Sequence, residues 1–477
     1  MNARLVFLIV GFCLLAGCAT NPVTGRRELS LMSEGQEIQM GLESDQAIVQ
    51  SYGLYDDPAL ATYVASIGER MVPVSHRPDL DFHFRLLDDP VVNAFALPGG
   101  YVYITRGILG YLNSEGALAG VIGHEIGHVT ARHGAQRYTQ QLLLGAGLGI
   151  GSVFSETFAQ YANVAGTAGQ LLLLKYGRDD ERQSDELGVE YATAIGYDTH
   201  DMAEFFHTLQ RLSPADGRMP SWMSTHPDPG ERWNTVHAMT SERQGGQAGF
   251  DRGRDRFLQK IDGLPFGSDP REGYVENDVF HHPGLRFRFP VPSGWQVQNG
   301  KSQVAIVDPQ QAGAVIFQSG GEGTPSQAAD AFVGQTGINL LERRNVNMVG
   351  GGGVRTLARI DTQSGSQIVL STFFSHADAT WVFHGITTDA AYRDLRDTLL
   401  LPAEGFAVET DPAVLNVKPY VVKIVSAPRT ATFRQLAAEH AIPPGSPLGD
   451  LEGLAILNGV ELDATISQGT LFKVIAR

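Results

Sequence analysis

Cysteine is nearly absent: the 477 residues hold two, Cys13 and Cys18, both near the N-terminus. Disulfides therefore cannot staple distant parts of this fold. Positive charge is also short, with 36 Lys+Arg against 52 Asp+Glu, a net charge of −16. That balance argues against a nucleic-acid partner, which calls for a basic face. It also disfavours electrostatic adhesion to anionic lipid. Long apolar runs are missing as well. Leu5 to Leu15, Leu142 to Ile150 and Leu171 to Leu174 all fall short of the about 20 residues that span a bilayer. Membrane attachment must then be covalent or locally hydrophobic. A 43% hydrophobic content over 477 residues is ample for about two to four globular domains.

What the chain does have is Gly123-His124-Glu125-Ile126-Gly127-His128, an H-E-x-x-H pattern at helical spacing. Residues four apart share a helix face, so His124 and His128 can offer imidazoles to one metal ion. Glu125 beside the first ligand can reach a water at the metal and act as base. A third protein ligand must come from another element. A third histidine six residues past His128 is ruled out, because that position is Gly134. His133, one residue off, is expected at the solvated end of the helix. Downstream, Glu181 and Asp185 again stand four apart. Glu181 would ligate the metal, and Asp185 would accept the spare N–H of a ligating histidine. Glu125, Glu181 and Asp185 would gather three negative charges, tolerable chiefly with a divalent cation among them.

Asn93-Ala94-Phe95-Ala96-Leu97-Pro98-Gly99-Gly100, then the His124–His128 motif, then Glu181 to Asp185, resemble in that order the zinc metallopeptidases related to HtpX and the CAAX prenyl proteases, family M forty-eight, in their soluble periplasmic branch. The resemblance runs from about Thr24 to His237. It implies one Zn2+ per chain held by His124, His128 and Glu181, with Glu125 as catalytic base. It implies polypeptide substrates, among them misassembled envelope and outer-membrane proteins. Ser184 stands where the family usually carries alanine, with little expected consequence. Ser224 to Arg232 resembles the family's histidine-proline segment. His226 would stabilise the oxyanion or occupy the open zinc position and hold the enzyme latent; Arg232 is a second oxyanion candidate.

Around this centre the chain reads as α+β: a mostly helical, gluzincin-type peptidase domain with a small sheet, an antiparallel α+β domain, and a small βααβ tail. Residues 1–17 read as a signal peptide ending Leu15-Ala16-Gly17, and Cys18 resembles the acylated residue of a bacterial lipoprotein. Ala19 favours the periplasmic face of the outer membrane. Residues 18–30 are expected as a tether, and 31–260 as the peptidase domain.

Ser33 with Gln36 forms a capping box opening one helix; Asp57 and Pro58 open the next, with Leu60, Val64, Ile67 and Met71 on its apolar stripe. The strands of Leu80–Leu87 and Tyr101–Thr105 would hold an extended peptide along an exposed edge, with Asn93 as a weak substrate-binding candidate. Tyr138 to Lys175 reads as a helical hairpin or a mobile lid. Gln244 to Pro270 is expected as a linker. Residues 274–410 form the accessory domain, where Phe287-Arg288-Phe289-Pro290 with Gly294-Trp295 faintly resembles PsbP/Mog1-like domains. Residues 418–477 resemble a LysM module, which implies peptidoglycan as a further partner, although Thr430-Ala431 replace the usual Gly-Asp.

Overall fold

The computed structural model describes residues 18–145, 171–172, 175–212, 221–227, 229–245, 249–362 and 365–477. The signal peptide, and residues 146–170 of the expected lid, lie outside them. Two compact units result, one of residues up to Ser268 together with Tyr420–Arg477, the other of Asp269–Pro419.

The first unit opens with a hairpin, β1 (Cys18–Thr20) against β2 (Arg27–Leu29). This corrects the expectation of a tether. Asn21 is buried, accepts from Val23 N and donates to Ala131 O at 3.2 Å, so the hairpin is pinned to the body of the fold. Helix α1 (Glu34–Tyr52) starts in the Ser33–Gln36 capping box, and α2 (Pro58–Met71) starts at Asp57 and buries its apolar stripe. Strands β3 (His83–Leu87), β4 (Ala94–Leu97) and β5 (Tyr101–Thr105) form a sheet of order β3-β5-β4, with β4 antiparallel to β5. Helix α3 (Arg106–Tyr111) leads to α4 (Glu115–Thr130), whose every residue is buried. Ser114 caps α4 by accepting from Ala117 N; Asn113 instead donates to Leu457 O. Then come α5 (His133–Gly145), α6 (Arg178–Ala194), α7 (His200–Arg211), α8 (Ser221–Thr225), α9 (Pro229–Gln244) and α10 (Arg254–Lys260). Helix α10 falls inside the expected linker. Phe257, Leu258, Ile261 and Leu264 are buried in the core, so this stretch packs as part of the unit.

The second unit is antiparallel. β6 (Tyr274–Glu276), β7 (Val279–His282) and β8 (Phe287–Pro290) form a small sheet. A seven-stranded sheet follows, built from β9 (Gln296–Asn299), β10 (Gln303–Val307), β11 (Gly313–Gly321), β12 (Ile338–Met348), β13 (Gly351–Thr362), β14 (Gly365–His376) and β15 (Ala379–Thr388) in the order β12-β13-β14-β15-β11-β10-β9. Helices α11 (Pro325–Val333) and α12 (Tyr392–Glu404) accompany it. β16 (Ala407–Val408) pairs with β8. Phe280, Phe287, Phe289, Phe317 and Phe383 fill its core.

The tail runs β17 (Val421–Ser426), β18 (Ala431–Thr432), α13 (Phe433–Ala437), α14 (Leu451–Asn458), β19 (Thr465–Ile466) and β20 (Leu471–Ala476), with β17 antiparallel to β20. It packs as part of the first unit instead of standing apart. Val422, Phe433, Leu454 and Phe472 join the same apolar cluster as Leu118 and Ile122 of α4. Lys473 is wholly buried, and its Nζ donates to Gly110 O at 2.7 Å and Leu112 O at 2.9 Å, carbonyls at the end of α3. Burial pushes its pKa well down.

Candidate metal centre

Small residues let α4 and α6 approach closely. A Cβ on Gly123 would meet Gly188 O at 3.0 Å, and one on Gly188 would meet His124 N at 3.0 Å. A Cβ on Gly127 would lie 3.1 Å from Ser184 Cα. Side chains at these crossings would require the two helices to give way by a few tenths of an ångström. As built, Glu181 Oε2 lies 3.7 Å from His124 Nε2 and Oε1 lies 3.5 Å from His128 Nε2. His226, just past α8, brings Nδ1 to 3.0 Å from Glu181 Oε1 and 3.3 Å from His124 Nε2. One donor atom from each of His124, His128, Glu181 and His226 lies within 4.8 Å of the others, all four buried.

The electrostatics suit a cation. His124 Nδ1 sits 2.9 Å from Asp185 Oδ1, which commits the ring proton there and leaves a lone pair on Nε2. That lone pair faces His128 Nε2 at 3.0 Å as well as the Glu181 carboxylate. Acceptors converging on one point repel unless a cation lies between them, and this donor set fits a zinc ion, with two imidazole nitrogens, a carboxylate and a further nitrogen at hand. Burial pushes His128 well below the ordinary histidine range, keeping it in the neutral form a metal requires. Burial alone would raise Glu181, but His226 and Arg232 beside it hold the carboxyl well below its usual range.

Arg232, the second oxyanion candidate, lies against the acidic pair. Its Nε donates to Asp185 Oδ2 at 2.8 Å, its Nη2 to Asp185 Oδ1 at 2.5 Å, and its Nη1 lies 2.7 Å from Glu181 Oε2. The guanidinium stacks over Phe206 and Trp222, and its buried Nη1 makes no hydrogen bond among the described residues. Arg232 therefore shares the task of neutralising Glu181 and Asp185, which the sequence assigned chiefly to the metal.

Glu125 differs from the other carboxylates. It is fully buried, and neither oxygen has a hydrogen-bond partner among the described residues; the His226 Nε2 is 3.7 Å away. Burial pushes its pKa up, the direction a proton acceptor working near neutral pH needs. Asn93 lines a small cavity with Phe95, Tyr176 and His226, its Oδ1 likewise unpartnered among the described residues. The Cys18 side chain lies outside the described residues.

Two features went unread in the sequence. His133 is buried, not solvated, and its Nδ1 lies 3.0 Å from His128 Nδ1. In a continuous helix it would sit about 140° round from His128. Arg132, at φ 62, ends α4 in the left-handed region and swings His133 back. Arg132 is held there by Glu37 and by Met32 O. Burial pushes the His133 pKa down. Ser184, expected to matter little, places Oγ 3.3 Å from His133 Nδ1. The close-packing glycines of α4 could have been noticed, since Gly120, Gly123 and Gly127 recur at helical spacing.

Two histidines four apart on a buried helix, a glutamate from a second helix and an unpartnered glutamate between them define the zinc metallopeptidase class of site. Residues 58–240 match the pattern of Peptidase family M48. Among curated proteins, a beta-barrel assembly-enhancing protease of Escherichia coli (strain K12) is 32% identical over 224 residues, 45% of each chain. A mitochondrial metalloendopeptidase OMA1 of Schizosaccharomyces pombe is 26% identical over 226 residues, 47% of this chain and 66% of its own. The match thus spans about half the length of the first of these relatives. Among solved structures, a cyanobacterial PsbP is covered over 91% of its length by 28% of this chain, at 15% identity and a TM-score of 0.22.

Proposed function

We propose that this chain is a zinc-dependent endopeptidase of the bacterial envelope, anchored through lipid on Cys18 and directed at misfolded or misassembled envelope proteins. The observation that carries the peptidase reading is the buried four-donor group with the partnerless Glu125 carboxylate beside it. Zinc, when bound, polarises a peptide carbonyl and lowers the pKa of water. Glu125 takes the proton of the attacking water and returns it to the leaving amine. Asp185 holds the orientation of His124, and Arg232 holds Asp185.

The substrate is held extended along β4. Asn93 O accepts from Thr105 N, which puts Asn93, Phe95 and Leu97 on the side bonded to β5. The N–H and C=O groups of Ala94 and Ala96 then point away from β5, to an edge that is buried instead of exposed as expected, where they can pair with a peptide main chain whatever its sequence. Asn93 stands at the head of this edge. Similarity to a beta-barrel assembly-enhancing protease supports outer-membrane proteins as clients. The apolar run before Cys18 supports the lipid anchor, and among the described residues no helix is long and apolar enough to cross a membrane. The βααβ order of the tail supports a LysM-like module with peptidoglycan as partner.

His226 favours a second reading, in which the peptidase is latent and the chain acts as a chaperone or scaffold. Its Nδ1 stands among the donors, where it would complete the zinc sphere and leave no place for substrate. His226→Ala is expected to raise casein hydrolysis by about tenfold, the effect of removing one competing contact of about 1.4 kcal/mol. A loss of activity instead assigns His226 to the oxyanion and removes latency. The metal itself is tested by zinc analysis of the purified protein and by chelation. Stoichiometric zinc is expected, and stripping it should lower the melting temperature as well as end proteolysis, since structural zinc contributes about 10–16 kcal/mol and a site open to water somewhat less. An unchanged melting curve would defeat the assignment.

A further inference from the structure

The two helix-borne histidines are supported differently. His124 leans on a carboxylate, Asp185. His128 leans on another imidazole: its Nδ1 lies 3.0 Å from His133 Nδ1, and His133 Nε2 lies 2.9 Å from Gln183 Oε1. An amide oxygen only accepts, so the His133 proton sits on Nε2 and its Nδ1 carries a lone pair. The only proton left for the 3.0 Å contact is that of His128 Nδ1, which donates to His133. His128 Nε2 is thereby left bare, facing Glu181 and His124.

We infer that His133 and Gln183 form a neutral relay that fixes His128 as an Nε2 metal ligand. Both are positioning residues, and neither touches substrate. The relay is held from three elements. Arg132 in the left-handed region aims His133. Gln183 is presented by α6, two residues past the Glu181 ligand. Tyr176 stacks on the other face of the site, its ring 3.8 Å from that of His128. Asp180 does not replace Gln183 as the end of the relay. Its Oδ1 is 3.9 Å from His133 Nε2, while its Oδ2 is taken by Arg137 and by Gly177 N. Ser184 Oγ is a competitor for the same His133 lone pair, at the longer distance of 3.3 Å.

The inference rests on the zinc reading, and its test separates the two. Zinc affinity of the full chain is measured by competition with a chromophoric chelator. His133→Ala and Gln183→Leu are expected to weaken zinc about 10- to 100-fold, the usual cost of losing a ligand's outer partner. His133→Asn, which keeps an acceptor near Nδ1, should recover most of the loss. Gln183→Glu should bind zinc more tightly than wild type, because a carboxylate draws the His133 proton harder and makes His128 the better donor. A purely structural Gln183 would lose affinity in both substitutions. Affinities within twofold of wild type for His133→Ala, or parallel losses in Gln183→Glu and Gln183→Leu, overturn the relay while the zinc site stands. A wild type that takes up no zinc overturns both.

Discussion

Glu125→Gln is expected to cut kcat/KM for casein by about 10²–10⁴-fold, the range that a positioned general base supplies. The amide keeps the shape but cannot take the proton of the attacking water. The same change should leave zinc content intact, because Glu125 is not among the converging donors. It should also raise the melting temperature of the metal-free protein. Glu125 is a buried carboxylate without a partner among the described residues, and burial already pushes its pKa up, so the charge is a cost to the fold. Measured together, casein turnover, zinc content and thermal unfolding distinguish a base from a structural residue. Retained turnover in Glu125→Gln would remove the catalytic assignment.

Arg232→Ala is expected to produce the largest loss of stability. The guanidinium is buried and bonds Asp185 through two nitrogens while a third faces Glu181. Deleting it leaves two carboxylates uncompensated, and breaking a buried pair in this way costs about 3–5 kcal/mol. For a domain of this size that corresponds to a fall in melting temperature of about 6 °C or more. Bound zinc offsets part of the cost, so the fall should be greater after chelation than before it. Equal falls in the two states would mean that Arg232 and the metal do not share the same charges. Normal stability in both would mean that the acidic pair needs no partner at all.

Much of the centre was legible in one dimension. Helical spacing places His124 with His128, and Glu181 with Asp185, on single faces, and the Ser33 and Asp57 caps mark two helix starts. Segment ends were harder. The expected tether is a hairpin because Asn21 finds a carbonyl 110 residues away at Ala131. The expected linker is core because Phe257 and Leu258 join the apolar cluster of Leu118 and Ile122, which its many polar neighbours gave no hint of. The tail looked like a separate module, but Lys473 buries its ammonium in carbonyls supplied by α3, a match no local pattern encodes.

His133 and Arg232 show the boundary most clearly. Periodicity assigns a residue to a face only while the helix continues, and a single left-handed residue at Arg132 returns His133 to the site. Charge counting registers three acids, yet only packing reveals that an arginine from α9 lies against two of them. The sequence by itself determined which side chains can bind a metal and which can move a proton, because those are properties of residue type and of the 3.6-residue repeat. The tertiary structure alone decided how those groups are oriented, neutralised and shielded, because these depend on atoms from segments far apart in the chain that meet only when the core closes.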